Sequence, residues 1–95
     1  MTRGFDFTQI EYRRSPRGVL ILQGNVRNKL SKPIHAAVFT ITIYLKDIPI
    51  AMQKLTVNGL NPGQEKSFEC EIGEIDYNRV IMGISGYEIF EESSY

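Results

Sequence analysis

The chain has 95 residues, 42% of them hydrophobic, and its 11 basic and 11 acidic side chains give a formal net charge of zero. This length supports one small domain, and the balanced charge argues against a dedicated nucleic-acid binder, which normally carries a basic excess. The single cysteine excludes an internal disulfide framework and a cysteine-based zinc or iron–sulfur site.

The first half of the chain contains three predicted strands. The first spans about Phe5–Arg14 and ends at a Pro- and Gly-containing turn over residues 15–18. The second spans about Val19–Asn28, and Gly24 in its middle indicates a bulge, or a large side chain from the facing sheet lying over it. The third, about Ile34–Lys46, has four apolar residues at a period of two opposed by threonines. We expect this apolar face to be the centre of the core: Phe39, Ile41, Ile43 and Leu45.

The second half contains three more predicted strands. The fourth, about Ile48–Val57, starts at a sheet edge because Pro49 cannot donate to a ladder. The fifth, about Gln64–Ile72, alternates apolar with polar residues. The sixth spans about Val80–Phe90 and closes the sheet. We expect the chain ends, residues 1–4 and 92–95, to fray.

Six or seven strands separated by short turns predict an all-β fold, with residues 1–95 forming a single domain. We predict an immunoglobulin-like antiparallel β-sandwich of two sheets, with a small closed barrel as the alternative. No run approaches the ~18 apolar residues of a membrane span, and the polar start is no signal peptide. The compartment stays open: cytoplasmic if the chain is complete, associated with the cell envelope if it is an excised domain.

Three short motifs resemble a group of small bacterial and archaeal sandwich domains, the FxLYD-type domains. Residues 22–28 are similar to the "G-x-V-x-N" opening of that family, and residues 43–47 lie near its hydrophobic-Tyr-Asp signature. Residues 60–64 together with Phe68 are similar to its "L-x-P-G-(E/Q)…F" motif, so the resemblance covers about residues 20 to 72. It implies a non-catalytic sandwich, often appended to lipoproteins, membrane-anchored proteins or zinc-ribbon proteins, with no common ligand and no catalytic residues.

The motif residues also have direct structural interpretations. Gly24 permits close approach between the sheets, and Asn28 can bond the backbone of the turn that follows it. Leu60 is expected to plug one end of the core. These residues therefore indicate a fold-specifying role.

Candidate catalytic groups are few. A nucleophilic pair of His35, the only histidine, with Cys70 needs a partly exposed thiol in electropositive surroundings. Cys70 instead alternates with apolar residues, so we expect a buried, inert thiol. Glu69 and Glu71 share the opposite face, which we expect to be solvated, and no calcium-loop spacing is present. We therefore predict a protein that is not an enzyme, without catalytic residues, cofactor or metal.

The charges are divided along the chain. Residues 1–48 carry eight Lys or Arg and three Asp or Glu, whereas residues 49–95 carry three and eight. The basic half supplies a candidate partner-binding surface: Arg13, Arg14, Arg17 and Arg27. The two charge sets can also neutralise each other across strands or between subunits, which we consider the main use.

These observations favour a non-catalytic accessory or interaction module that docks a protein partner or a second copy of itself. We expect no nucleic-acid partner and no membrane insertion by this segment. The alternative is a small-ligand-binding or enzymatic β domain with a pocket around His35 and Cys70 or around the arginine cluster. That alternative requires these groups to converge in three dimensions.

Overall fold

A computed structural model describes residues 4–95 of the chain. The elements in chain order are β1 (Phe5–Arg14), β2 (Val19–Asn28), β3 (Ile34–Leu45), β4 (Ile48–Leu60), β5 (Glu65–Asp76), α1 (Tyr77–Val80) and β6 (Ile84–Ser94). The strands form two antiparallel three-stranded sheets: sheet A in the order β1-β2-β5 and sheet B in the order β4-β3-β6. The predicted sandwich is confirmed, with six strands. In the described chain no strand pairs across the two sheets, so the closed barrel does not form.

The core lies between the inner faces of the two sheets. Phe39, Ile41 and Ile43 are fully buried, as predicted, while Leu45 is half-buried at the end of β3. The ring of Phe39 makes edge-to-face contacts with Phe5 and Phe7 of β1, at centroid distances of 5.2 and 5.0 Å. Such pairs add roughly 0.5–1.5 kcal/mol each to the burial of their area. The predicted strand face is therefore the site where the two sheets are joined.

Gly24 accommodates a bulge in the neighbouring strand. The register of β1 against β2 shifts between Thr8 and Glu11, where Gln9 has a φ of 54°. A Cβ atom at Gly24 would lie 2.5 Å from Ile10 Cδ1 and 3.0 Å from the carbonyl oxygen of Thr8. The backbone of Gly24 is thus approached closely by β1, its neighbour in sheet A. The expectation that Gly24 permits a close approach between the two sheets is wrong.

Asn28 locks one end of the sandwich. Its side chain is fully buried, and its Oδ1 accepts a hydrogen bond from Leu30 N at 2.8 Å in the turn that follows, as predicted. Its Nδ2 donates to the carbonyl oxygens of Lys32 and Leu60, both at 3.0 Å. Leu60 is 1% exposed and closes the core there. One polar side chain therefore joins β2 to the loop before β3 and to the end of β4.

The structure corrects the predicted chain ends. Residues 92–95 do not fray, because β6 continues to Ser94 and Tyr95 N donates to Ala36 O at 3.0 Å. Gly4 is buried, and its carbonyl accepts from Lys29 N at 2.8 Å. The rest of the predicted N-terminal frayed segment, residues 1–3, lies outside the described residues.

The start of β6 is also corrected. Residues 77–80, including the predicted strand start at Val80, form the single-turn helix α1, and β6 begins at Ile84. Asp76 caps this helix because its Oδ1 accepts from Asn78 N at 3.0 Å. β4 and β5 extend beyond their predicted ends, to Leu60 and Asp76.

Candidate functional site

Two of the four candidate arginines are held by carboxylates of β5. On the outer face of sheet A, the Arg13 guanidinium lies 3.1 Å from a Glu69 carboxylate oxygen, and that of Arg17 lies 2.7 Å from Glu71. Ile21 on β2 stands in register with Arg13 on one side and Glu71 on the other, and it is only 3% exposed. The Arg13–Glu69 pair crosses β2 on the outer face beside this buried isoleucine, and the Arg17–Glu71 pair joins the β1–β2 turn to β5. The predicted neutralisation across strands occurs here within one chain.

The other two arginines lie apart. Neither Arg14 nor Arg27 forms an ion pair with a residue in the range 4–95. Arg27 is six residues along β2 from Ile21, a distance of about 20 Å. Arg13, Arg14 and Arg17 surround the β1–β2 turn, whereas Arg27 is near the opposite end of the strand. The four side chains do not form a single continuous patch.

Other polar side chains on the outer face of sheet A form hydrogen bonds with one another. Gln23 Nε2 donates to Glu11 at 3.3 Å, and Asn25 Nδ2 donates to Gln9 Oε1 at 2.8 Å. A shallow groove of about 600 Å³ lies beside the β1 bulge. Among the described residues that line it, the only titratable side chain is that of Glu11, which already accepts a hydrogen bond from Gln23. The groove therefore has no pair of groups suited to acid–base chemistry.

His35 and Cys70 are not brought together. His35 is exposed at the start of β3, whereas Cys70 is 7% exposed and its Sγ lies 3.8 Å from Lys54 O. Lys54 stands opposite Thr40, five residues from His35 and therefore about 17 Å along the strand. Burial raises the pKa of the Cys70 thiol and thereby disfavours the nucleophilic thiolate.

Glu69 and Glu71 are exposed and occupied by arginines. Within residues 4–95, no group of three or more His, Cys, Asp or Glu side chains is arranged to hold a metal ion. None of the helices in that range has the length and apolar character to cross a membrane.

Exposed apolar side chains concentrate on sheet B and its connections. In the described chain, the large hydrophobic residues that are exposed all belong to β4 or to residues 82–95: Ile48, Met52, Met82, Tyr87, Phe90 and Tyr95. Sheet A has none of them. Met52 is 69% exposed and Phe90 is 50% exposed.

The outer face of sheet B consists of the residues that alternate with the buried face of β3, together with their neighbours on β4 and β6. Met52 stands opposite Thr42, and Phe90 stands opposite Thr40 on the other side of β3. Basic and acidic groups lie among them, because Lys54 and Glu88 occupy the same face. We call this surface the sheet-B face: Val38, Thr40, Thr42, Tyr44, Met52, Lys54, Thr56, Glu88 and Phe90.

The two sides of the sandwich differ in how the sheet edges are closed. Between β4 and β5, Lys66 Nζ donates to Asn58 O at 2.7 Å, and Gly73 N donates to Gln53 Oε1 at 3.1 Å. Between β1 and β6, the rings of Tyr12 and Tyr87 meet at a centroid distance of 6.5 Å. Burial first, and the neighbouring Tyr87 second, raise the pKa of Tyr12. The β4–β5 side is thus fastened by hydrogen bonds to the backbone, and the β1–β6 side by a ring contact.

Sequence reasoning missed the sheet-B face, although a signal for it was present. Phe90 has the same strand parity as Glu88, and Met52 has the same parity as Lys54. An apolar residue at a position that alternation assigns to solvent is the pattern that marks such a surface.

Comparison with known proteins adds no relative: no family model, curated protein or solved structure matches the chain. The resemblance to FxLYD-type domains therefore stays a prediction.

Proposed function

We propose that this protein is a non-catalytic interaction module that docks a protein partner on the sheet-B face. The observation that carries the proposal is the one-sided distribution of exposed apolar side chains, with Met52 and Phe90 on this face and none on sheet A. Single exposed apolar residues are ordinary on any protein surface. In the described chain the exposed ones lie on sheet B and in the segments connected to it, and not on sheet A, and this asymmetry is the support for docking on sheet B.

The composition of the sheet-B face suits a protein partner. Aromatic residues and methionine are enriched in protein interfaces, and Phe90 and Met52 supply one of each. Thr40 and Thr42 lie between them on β3, and the hydroxyl groups of Thr42 and of the neighbouring Tyr44 can form hydrogen bonds. Lys54 and Glu88 place one basic and one acidic group on the same face.

Sheet A is less suited to docking because its polar groups already bond to one another. A partner on that face would have to compete with the Arg13–Glu69 and Arg17–Glu71 ion pairs. Partner binding by the four arginines stays a prediction. The distribution of exposed apolar side chains favours sheet B as the docking surface.

The test compares two variants that carry the same charge change on opposite sheets. Phe90→Lys places a lysine on the sheet-B face, and Ser67→Lys places one at an exposed position of β5 in sheet A. Tagged wild-type and variant proteins are returned to the source organism, and proteins that co-purify with each are quantified. We expect a specific companion that Ser67→Lys retains and Phe90→Lys loses. Equal retention by both variants, with both folded, would refute docking on this face.

A further inference from the structure

We propose that the free edge of β6 accepts an extended, basic segment of a partner protein as an added β-strand. This inference rests on the proposed function and specifies its partner. β6 pairs with β3 on one side only. The other edge of β6 pairs with no strand in the range 4–95, so it presents backbone donors and acceptors in the way that strand addition requires.

Of the four sheet edges, that of β6 is the most suitable. The β4 and β5 edges are joined through hydrogen bonds of Lys66 and Gln53 to backbone atoms, whereas the Tyr12–Tyr87 contact on the β6 side involves only side chains. β1 has a bulge with Gln9 at a φ of 54°, which interrupts a continuous ladder. Residues 86–91 of β6 keep an unbroken register against β3, between irregularities on either side. A segment of this length matches a typical strand of about 5–6 residues.

Charge selects the occupant. β6 contains Glu88, Glu91 and Glu92 and no basic residue. None of the three forms an ion pair with a residue in the described range; Glu92 accepts from Thr40 Oγ1 at 2.6 Å, and Glu91 accepts from Ser94 Oγ at 3.2 Å. A basic strand would meet complementary charge, whereas a second copy added through its own β6 would bring three more glutamates to the same edge.

Alternation along β6 defines the pattern of the added strand. Glu88 and Phe90 point to the sheet-B face, and Tyr87 and Ile89 alternate with them, opposite the core residues Ile43 and Ile41. The added strand should therefore carry lysine or arginine on the outer side, where Glu88 lies, and mainly β-branched residues on the inner side, where Tyr87 and Ile89 are followed by Glu91. Its outer side chains would extend the sheet-B face.

The probe is a capped peptide of about ten residues that alternates lysine and valine. Binding is followed by isothermal titration calorimetry and by shifts of the backbone amide signals of the isotope-labelled protein. We expect the largest shifts at residues 86–91. Glu88→Lys should bind the peptide at least about tenfold more weakly than the wild type. Glu65→Lys, at an exposed position on β5 in sheet A, should bind the peptide like the wild type.

Two control peptides separate strand addition from simple charge attraction. Replacing lysine by glutamate should abolish binding. One peptide N-methylated at its valines and another N-methylated at its lysines retain the charge but each lose the backbone donors along one edge of the strand, so one of the two should lose binding. Equal binding of both methylated peptides and the unmodified one, or shifts spread over both sheets, would overturn the proposal.

Failure of this inference is distinguishable from failure of the proposed function. If no peptide binds while Phe90→Lys still removes the companion protein, strand addition is refuted and docking on the sheet-B face stands. The glutamates of β6 then only protect its edge from self-pairing. If Phe90→Lys also has no effect, both proposals fail.

Discussion

Asn28 offers the sharpest test of what holds the sandwich together. Replacing it by alanine removes three hydrogen bonds, one from Leu30 N and two to the carbonyls of Lys32 and Leu60. At about 1 kcal/mol for each bond, with a range of about 0.5–1.5, the free energy of unfolding should fall by about 3 kcal/mol. This is a large share of the roughly 5–15 kcal/mol that stabilise a small domain.

Asn28→Asp provides a second, pH-dependent readout. It keeps the shape but turns two donated hydrogens into a carboxylate facing the carbonyls of Lys32 and Leu60, so near neutral pH it should cost more than Asn28→Ala. Burial favours protonation of the introduced carboxyl in the folded state, so its pKa should be higher folded than unfolded. The folded variant then binds more protons, and its deficit relative to wild type should grow as pH rises from about 4 to 7.

The assay is urea unfolding followed by circular dichroism. Asn25→Ala is the matched control, because Asn25 lies on the same strand and its side chain donates to Gln9 at the surface. It should change stability by less than about 0.5 kcal/mol. A change that small for Asn28→Ala would refute the role assigned to this side chain.

Three further predictions concern packing, surface charge and the thiol. Gly24→Ala should destabilise by about 1–3 kcal/mol, whereas Gly86→Ala, whose added Cβ meets nothing within 4 Å, should be neutral or stabilising in urea melts; equal effects would contradict the bulge contact. A double-mutant cycle of Arg13→Ala and Glu69→Ala should give a coupling of about 0–1 kcal/mol that fades in high salt, and a larger, salt-independent value would contradict it. Burial raises the pKa of Cys70 in the folded protein. The stability that the protonated thiol contributes is therefore complete below the ordinary thiol pKa of about 8.5 and is lost as pH rises through the pKa of the folded state. The free energy of unfolding of Cys70→Ala should accordingly fall less than that of the wild type between pH 7 and 10.

Local patterns predicted the features that depend on nearby residues. The alternation of apolar residues and threonines along β3 identified the centre of the core, since burial on one sheet face imposes a period of two. Asn28 was found from the tendency of asparagine to bond the following turn. The edge position of β4 followed from Pro49, which cannot donate to a ladder.

Features that depend on distant partners were not predictable in the same way. Arg13 and Arg17 bond to carboxylates 56 and 54 residues away, and no local pattern shows which strands will be neighbours. The C-terminal residues looked free to fray, yet Tyr95 is held because β6 pairs with β3 and brings it beside Ala36. Tertiary pairing decided these positions.

The central claim is that sheet B, and not sheet A, contacts a protein partner. It is tested most directly by incorporating a photo-crosslinking amino acid at Phe90 and, in a matched variant, at Ser67, and irradiating living cells of the source organism. The account predicts a discrete cross-linked protein species from the Phe90 position and none from the Ser67 position. Cross-links from Ser67 alone, or none from either position, would contradict it.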